Sequence, residues 1–286
     1  MRKWVIIVAL VAVMVAAYEY RVYLYVLVTQ PQMFLPASLD TEAPPIELAD
    51  GPAILSFSKT NGFRHGPAIA ASREMLDRIA EQESWQVFHT ENGAAFTPAI
   101  LAQFDLILLN HKTGHTWDEA QRQALRDYIE QGGTLIALHA AGDASNHVWP
   151  WYREQVIRAD FVDHPLKQHI QVAQLLVEIQ NHPATEHLPG LWSRADEWYN
   201  FAHSPRSRTN VLVSILESSY DPETSPMGAD HPMVWWHTVG QGRVFYSALG
   251  HTPESYTDTN FVRFVTGALR WGLNPHSSNN IVQGAL

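Results

Sequence analysis

The chain has 286 residues, 46% hydrophobic and 11% aromatic with 10 Trp, a composition that supports a sizeable buried core and excludes a disordered chain. A formal net charge of -10 excludes a general phosphate-backbone binder, so nucleic acid is set aside as a partner. The absence of cysteine excludes disulfides, thiolate zinc sites and cysteine nucleophiles, whereas 15 histidines offer groups that ligate metals and titrate near neutral pH.

Arg2 and Lys3 precede an apolar run from Trp4 to Tyr18, which Glu19 and Arg21 interrupt and Val22 to Val28 resume. Residues 1–28 therefore read as a membrane-directed segment, either an anchor from Trp4 to Val28 or a signal peptide cleaved after Val15-Ala16-Ala17. In the anchor reading Tyr18, Tyr20, Tyr23 and Tyr25 form an interfacial belt, and the positive-inside rule puts the rest of the chain outside the cytoplasm, periplasmic or extracellular. Cleavage instead predicts a secreted protein. Residues 29–50, with Pro31, Pro36, Pro44 and Pro45, read as a linker, 51–275 as one domain and 276–286 as a flexible tail.

In the domain, apolar runs alternate with helix-like segments: 53–57, a helix over 68–81, then 85–88 and 105–109. This alternation predicts βαβ units on a mostly parallel sheet. The clearest helix is predicted over 117–131, with Thr116 as N-cap, Asp118 and Glu119 in its first turn and Gly132-Gly133 as its stop. It feeds a strand at 134–138 that ends in His139. The second half is strand-rich, with runs at 170–179, 197–201, 211–216, 233–239 and 243–249, before a helix over 260–271. Val239-Gly240-Gln241-Gly242-Arg243 predicts a hairpin and hence a mixed sheet.

Ligands of open α/β sheets bind at the carboxyl ends of strands, so polar residues there are the first candidates for a site. Ser58-Lys59-Thr60-Asn61-Gly62-Phe63-Arg64-His65-Gly66 is a loop opening a helix; Lys59 and His65 are candidate ligand contacts there, or ordinary loop capping. Asn110-His111-Lys112-Thr113-Gly114-His115 offers His111 as pocket lining; a metal pair with His115 needs a helix, and Gly114 favours a loop. His139 is followed by Ala140, Ala141 and Gly142, the small residues of a sharp elbow. Another apolar strand ends at His251, with Glu254 three residues on, an arrangement suited to a base and its orienting acid.

Between them lie the His-Pro pairs at His164, His182 and His231, which place imidazoles at rigid turns or at preset ligand contacts. Glu197 is the best single carboxylate, because two acids beside Trp198 and Tyr199 are expected to have raised pKa values, while Trp198 and Tyr199, like Trp149, are candidates for stacking on a sugar ring; the alternative is an edge strand with solvated acids.

Taken in order, Phe57 to His65, Leu138 to Ala141, Trp149 to Tyr152, Asp163 to Pro165, Asp196 to Phe201, Met227 to Pro232 and Leu249 to Thr252 resemble the ThuA-like proteins, named for trehalose utilisation. The resemblance covers about Ile54 to Gly272. It implies a three-layer α/β fold of the flavodoxin-like, class I glutamine amidotransferase type and a part in carbohydrate metabolism. It also implies that His139 replaces the amidotransferase cysteine while His251 and Glu254 look like retained triad partners, so glutaminase activity is out of reach.

The expected function is an enzyme acting on a disaccharide, glycoside or oxidised sugar, as hydrolase, lyase or isomerase, with His139, Glu197, His251 and Glu254 as catalytic residues. Its substrate contacts would be Lys59, His65, His111, Trp149, His164, Trp198, Tyr199 and His231. Two alternatives stand beside it: a non-catalytic carbohydrate-binding module, and a hydrolase holding a divalent metal on His139, His164, His231 or His251. Partners beyond the sugar are the membrane, through residues 1–28, and a second copy in a homo-oligomer.

Overall fold

The computed structural model describes residues 20–274. The run Trp4–Tyr18, the cleavage motif and the tail 276–286 lie outside the described residues, and among these no helix is long and apolar enough to cross a membrane.

In chain order the strands are β1 (Ala53–Phe57), β2 (Gln86–Thr90), β3 (Leu106–Asn110), β4 (Thr134–Leu138), β5 (Phe161–Asp163), β6 (Gln171–Val177), β7 (Leu191–Asp196), β8 (Asn200–Phe201), β9 (Asn210–Ile215), β10 (Pro232–Val239) and β11 (Gly242–Ser247). The helices are α1 (Arg21–Thr29), α2 (Gly66–Glu83), α3 (Pro98–Leu101), α4 (Glu119–Glu130) and α5 (Thr259–Leu273). Nine strands form one sheet in the order β2-β1-β3-β4-β11-β10-β9-β6-β7. The first five are parallel, in the flavodoxin-like arrangement whose order reverses between β1 and β3; the other pairings are antiparallel. The strand-rich second half of the sequence thus extends a doubly wound sheet into a mixed one.

Every residue of β1, β3 and β4 is buried, which is why these strands read as unbroken apolar runs: helices cover them on both faces. Trp117 stacks on Phe57 at 5.2 Å between ring centroids, and Trp271 packs against Phe245 and Trp236 at 6.0 and 5.5 Å. Burying one such ring contributes about 1.5–3 kcal/mol. The hairpin forms at Gly240-Gln241, with Gly240 at φ +58°, and Gly242 is obligatory because a Cβ there would lie 2.0 Å from the Ile129 carbonyl oxygen.

Several elements differ from expectation. The helix expected from Trp117 starts at Glu119, because Asp118 rather than Thr116 caps it: Asp118 accepts from the Gln121 backbone, and the Gln121 side chain answers at the Asp118 N–H. Trp117 is thereby released into the core. The strand expected over 197–201 shrinks to Asn200–Phe201, which pairs with β5 in a separate two-stranded sheet. β7 was not anticipated, because its inward positions include Arg194 and Asp196, which pair with each other at 2.8 Å and hide the apolar alternation.

The Pro-rich segment over 29–50 lies on the domain. Asp40 pairs with Lys59 and accepts from the Gly93 N–H, Gln121 donates to the Asp40 carbonyl, and Asn61 donates to the Ser38 carbonyl.

Candidate active site and metal centre

Four histidines stand at the carboxyl ends of adjacent parallel strands: His65 in the loop after β1, His111 directly after β3, His139 directly after β4 and His251 shortly after β11. The parallel bridge Thr60–Thr113 joins the first two loops at the point where the strand order reverses. Glu197 arrives from the antiparallel half, one residue beyond β7.

His139 is fully buried and left-handed at φ +45°, a costly conformation for a side chain with a Cβ, of the kind retained at functional sites. The elbow is held by Tyr246, which donates to the His139 carbonyl at 3.0 Å, and by Tyr152, which donates to the Ala141 carbonyl at 2.7 Å. Gly142 is required there because a Cβ would come within 2.3 Å of the Tyr246 hydroxyl. His251 is aimed by Asp196: one carboxylate oxygen accepts from the Gly250 N–H at 2.8 Å, the other from the His251 N–H at 2.9 Å. Gly250 turns the chain at φ +107°.

Three atoms converge. His139 Nε2 lies 3.1 Å from His251 Nδ1 and 3.3 Å from Glu197 Oε2, and the latter two are 3.1 Å apart. A ligand atom of His65 completes a group of four that all lie within 4.8 Å of one another. Metal–ligand bonds of about 2.0–2.1 Å in a tetrahedron imply edges of about 3.3 Å, so the triangle has the size of one coordination face.

Proton placement supports the same conclusion. His139 Nδ1 lies 2.7 Å from the Ala248 carbonyl and must donate to it, which leaves a lone pair on Nε2. That lone pair faces the acceptor-only oxygen of an ionised Glu197, a repulsive contact unless a cation lies between them or His139 takes a second proton. The Nδ1-to-carbonyl hydrogen bond is the orientation that holds an imidazole for metal binding through Nε2.

The electrostatics of Glu197 and His65 match. The raised carboxyl expected of Glu197 is not found: burial does oppose its ionisation, but the hydrogen bonds and charges of His139 and His251 hold it well below the usual range. Burial, then the neighbouring His139 and His251, push His65 well below an ordinary histidine, which leaves it a neutral ligand; its Nδ1 is buried with no hydrogen-bond partner among the described residues. Burial lowers His251, but its contact with Glu197 outweighs that and the net shift is upward.

The other expected site residues divide. His164 joins the centre, with Nδ1 3.3 Å from Glu197 Oε1, the oxygen that faces away from His139. Tyr199 lines it, its buried ring 4.4 Å from that of His139. His111 packs behind, its ring 5.4 Å from those of His65 and His139 and its Nε2 2.6 Å from the Tyr256 hydroxyl. His231 is a scaffold, buried between Glu217 and the Tyr199 carbonyl. His182 is a core residue beside Trp236 and Trp271 that accepts from the Ala184 N–H.

Four further residues also lie outside the cluster. Glu254 is exposed, and Glu197 instead is the carboxylate on His251. Trp198 is fully buried with its indole donating to the Gln171 carbonyl, so it offers no face to a sugar. Trp149 stacks on Trp151 at 5.1 Å beneath Arg122. Lys59 is taken up by Asp40. The sequence reading missed Asp196 as the residue that aims His251, and His169, whose ring lies 6.0 Å from that of His251. Asp196 left a signal in its adjacency to Glu197; His169 left none beyond its residue type.

The sheet and this centre define a class of thiol-free, flavodoxin-like α/β proteins in which imidazoles and one carboxylate occupy the strand-end site. The chain belongs to the ThuA family, whose model, described as trehalose utilisation, matches residues 53–272. A ThuA-like protein from Bacteroides uniformis superposes with a TM-score of 0.66 at 23% identity, covering 80% of this chain and 95% of that one. A second, from Parabacteroides merdae, gives 0.61 at 19% identity, covering 78% and 91%. At these identities the likeness is one of fold. No curated protein matches the sequence.

Proposed function

We propose that this chain is a carbohydrate-acting enzyme built on a divalent-metal centre held by His65, His139, Glu197 and His251. The observation that carries the reading is the triangle of His139 Nε2, His251 Nδ1 and Glu197 Oε2, whose edges of 3.1 to 3.3 Å match a coordination face. The trehalose-utilisation description of the family supports a sugar as substrate. A divalent ion there would polarise a sugar oxygen or lower the pKa of a bound water. The chain's own residues orient the site: the Ala248 carbonyl fixes the His139 tautomer, Asp196 fixes His251, and the Tyr199 ring closes one wall. His164, on the outer oxygen of Glu197, is the contact nearest solvent, its side chain 27% exposed.

A second reading, metal-free acid–base catalysis by His139, His251 and Glu197, is favoured by the upward shift of His251 beside Glu197. Elemental analysis of the full chain, purified without a histidine tag, separates the two. About one equivalent of zinc, manganese or another divalent metal, lost in His139→Ala and Glu197→Gln, is expected. Turnover of a sugar by protein that holds no metal and takes none up in calorimetric titration would refute the metal centre and leave the acid–base reading.

A further inference from the structure

Among the described residues, most of the exposed large apolar side chains lie between Tyr20 and Leu39, with smaller groups such as Val172, Leu176 and Leu191 elsewhere. On α1, Tyr23, Leu24, Tyr25, Leu27 and Val28 are exposed, Tyr23 at 73% and Val28 at 77%. At about 100° per residue these positions cover most of the helix circumference, with half-buried Val26 on the remaining side. The exposed Thr29 returns its hydroxyl to the Tyr25 carbonyl at 2.7 Å, so the helix from Tyr23 onward is apolar nearly all round, and this suits a lipid environment rather than a groove on a protein, which would leave a polar stripe. Met33, Phe34 and Leu35, exposed just beyond it, extend the patch. In sequence α1 continues the apolar run that begins at Trp4, and Trp4 to Val28 supplies more than the about 20 residues needed to cross a bilayer.

The end of this helix is locked to the loop that carries His65. Gln30, only 7% exposed, accepts from the Arg64 N–H at 2.8 Å. Gln32 donates to the Gly62 carbonyl at 3.0 Å and to the Gln30 side chain at 2.7 Å. Arg64 is itself braced by two hydrogen bonds to Glu91, at 2.8 and 2.9 Å. The clamp therefore grips the residue directly before His65, and no flexible spacer separates it from α1.

We infer that α1 lies in the outer interfacial region of a lipid bilayer and that the Gln30–Gln32 clamp holds the carboxyl-end loops of the sheet, and with them the mouth of the site, at the membrane surface. The partner is the bilayer itself. Tyrosines at that depth are the residues an interface favours. The inference is independent of whether a metal is bound.

Because the chain has no cysteine, single labelled cysteines report on its orientation without background. The test places a fluorophore at Ser38→Cys, on the strap over the carboxyl-end loops, or at Gln241→Cys, in the β10–β11 turn at the opposite edge. Each full-length protein is reconstituted into phosphatidylcholine–phosphatidylglycerol vesicles containing headgroup-nitroxide lipid. Flotation with the vesicles and several-fold stronger quenching at Ser38→Cys than at Gln241→Cys are expected, with the ratio falling towards one in Gln30→Ala/Gln32→Ala. Protein left in the soluble fraction overturns the inference. Equal quenching at the two sites also does so, since a domain tumbling on a loose tether gives that result, and the wild-type comparison stands even if the double variant fails to fold. A ratio unchanged in a folded double variant removes the clamp as the cause of the orientation.

Discussion

Replacing Asp196 with Asn tests whether the site is built by positioning, because the change keeps shape and alters only charge and donor pattern. Asp196 is fully buried; Oδ1 accepts from the Glu197 and His251 N–H groups at 3.0 and 2.9 Å, and Oδ2 accepts from Gly250 at 2.8 Å while pairing with Arg194 at 2.8 Å. Asn can keep one oxygen on Oδ1, but its amide nitrogen then faces two donors, the Gly250 N–H and the Arg194 guanidinium. The Arg194 side chain is 7% exposed, so its charge is left without a carboxylate in a site that water scarcely reaches. Breaking a buried pair from one side costs about 3–5 kcal/mol, and loss of a group that orients a ligand costs about 10–100-fold in metal affinity. Urea unfolding followed by tryptophan fluorescence reads the first quantity and competition with a chromophoric chelator the second. Stability within about 1 kcal/mol of wild type together with unchanged metal affinity would falsify the assignment of Asp196 as the residue that aims His251.

Glu254→Ala is expected to leave metal content unchanged and stability within about 0.5 kcal/mol, since the carboxylate is exposed; a loss of metal would restore it as the partner of His251. Gly142→Ala forces a methyl group to within 2.3 Å of the Tyr246 hydroxyl and should cost about 1–3 kcal/mol, read from the urea midpoint, with unaltered stability refuting the packing argument. Burial lowers His182 and His237 to about 3, so the fold favours their neutral forms. Their contribution is complete above the unfolded value of about 6.5 and is lost as pH falls from there towards about 3, which amounts to about 2 kcal/mol for each residue at pH 5. Unfolding free energies that stay flat between pH 6.5 and 4.5 would contradict this.

The local order of the chain was legible in the sequence because it depends on nearest neighbours. The fully buried parallel strands read as unbroken apolar runs, the Gly240-Gln241 turn marked its hairpin, and His139 could be placed at a strand end from Thr134–Leu138 and the small residues after it. The ordered motifs from Phe57 to Thr252 were enough to point to the family that the match over 53–272 establishes. What tertiary structure alone decided is which of these strand-end residues meet. His139 and His251 are 112 positions apart and touch because β11 inserts beside β4, a pairing that no local pattern encodes. The same holds for the choice of carboxylate: Glu254 is near His251 in sequence, but the turn that follows leaves it in solvent, whereas β7 carries Glu197 across the sheet to His251 Nδ1. The aromatic residue beside Glu197 was misread for a related reason, since Trp198 looks the same in sequence whether its indole faces a sugar or, as here, donates to a carbonyl in the core. Periodicity states which face of an element is apolar; only the packing of distant elements states what that face, or a polar side chain at its end, finally meets.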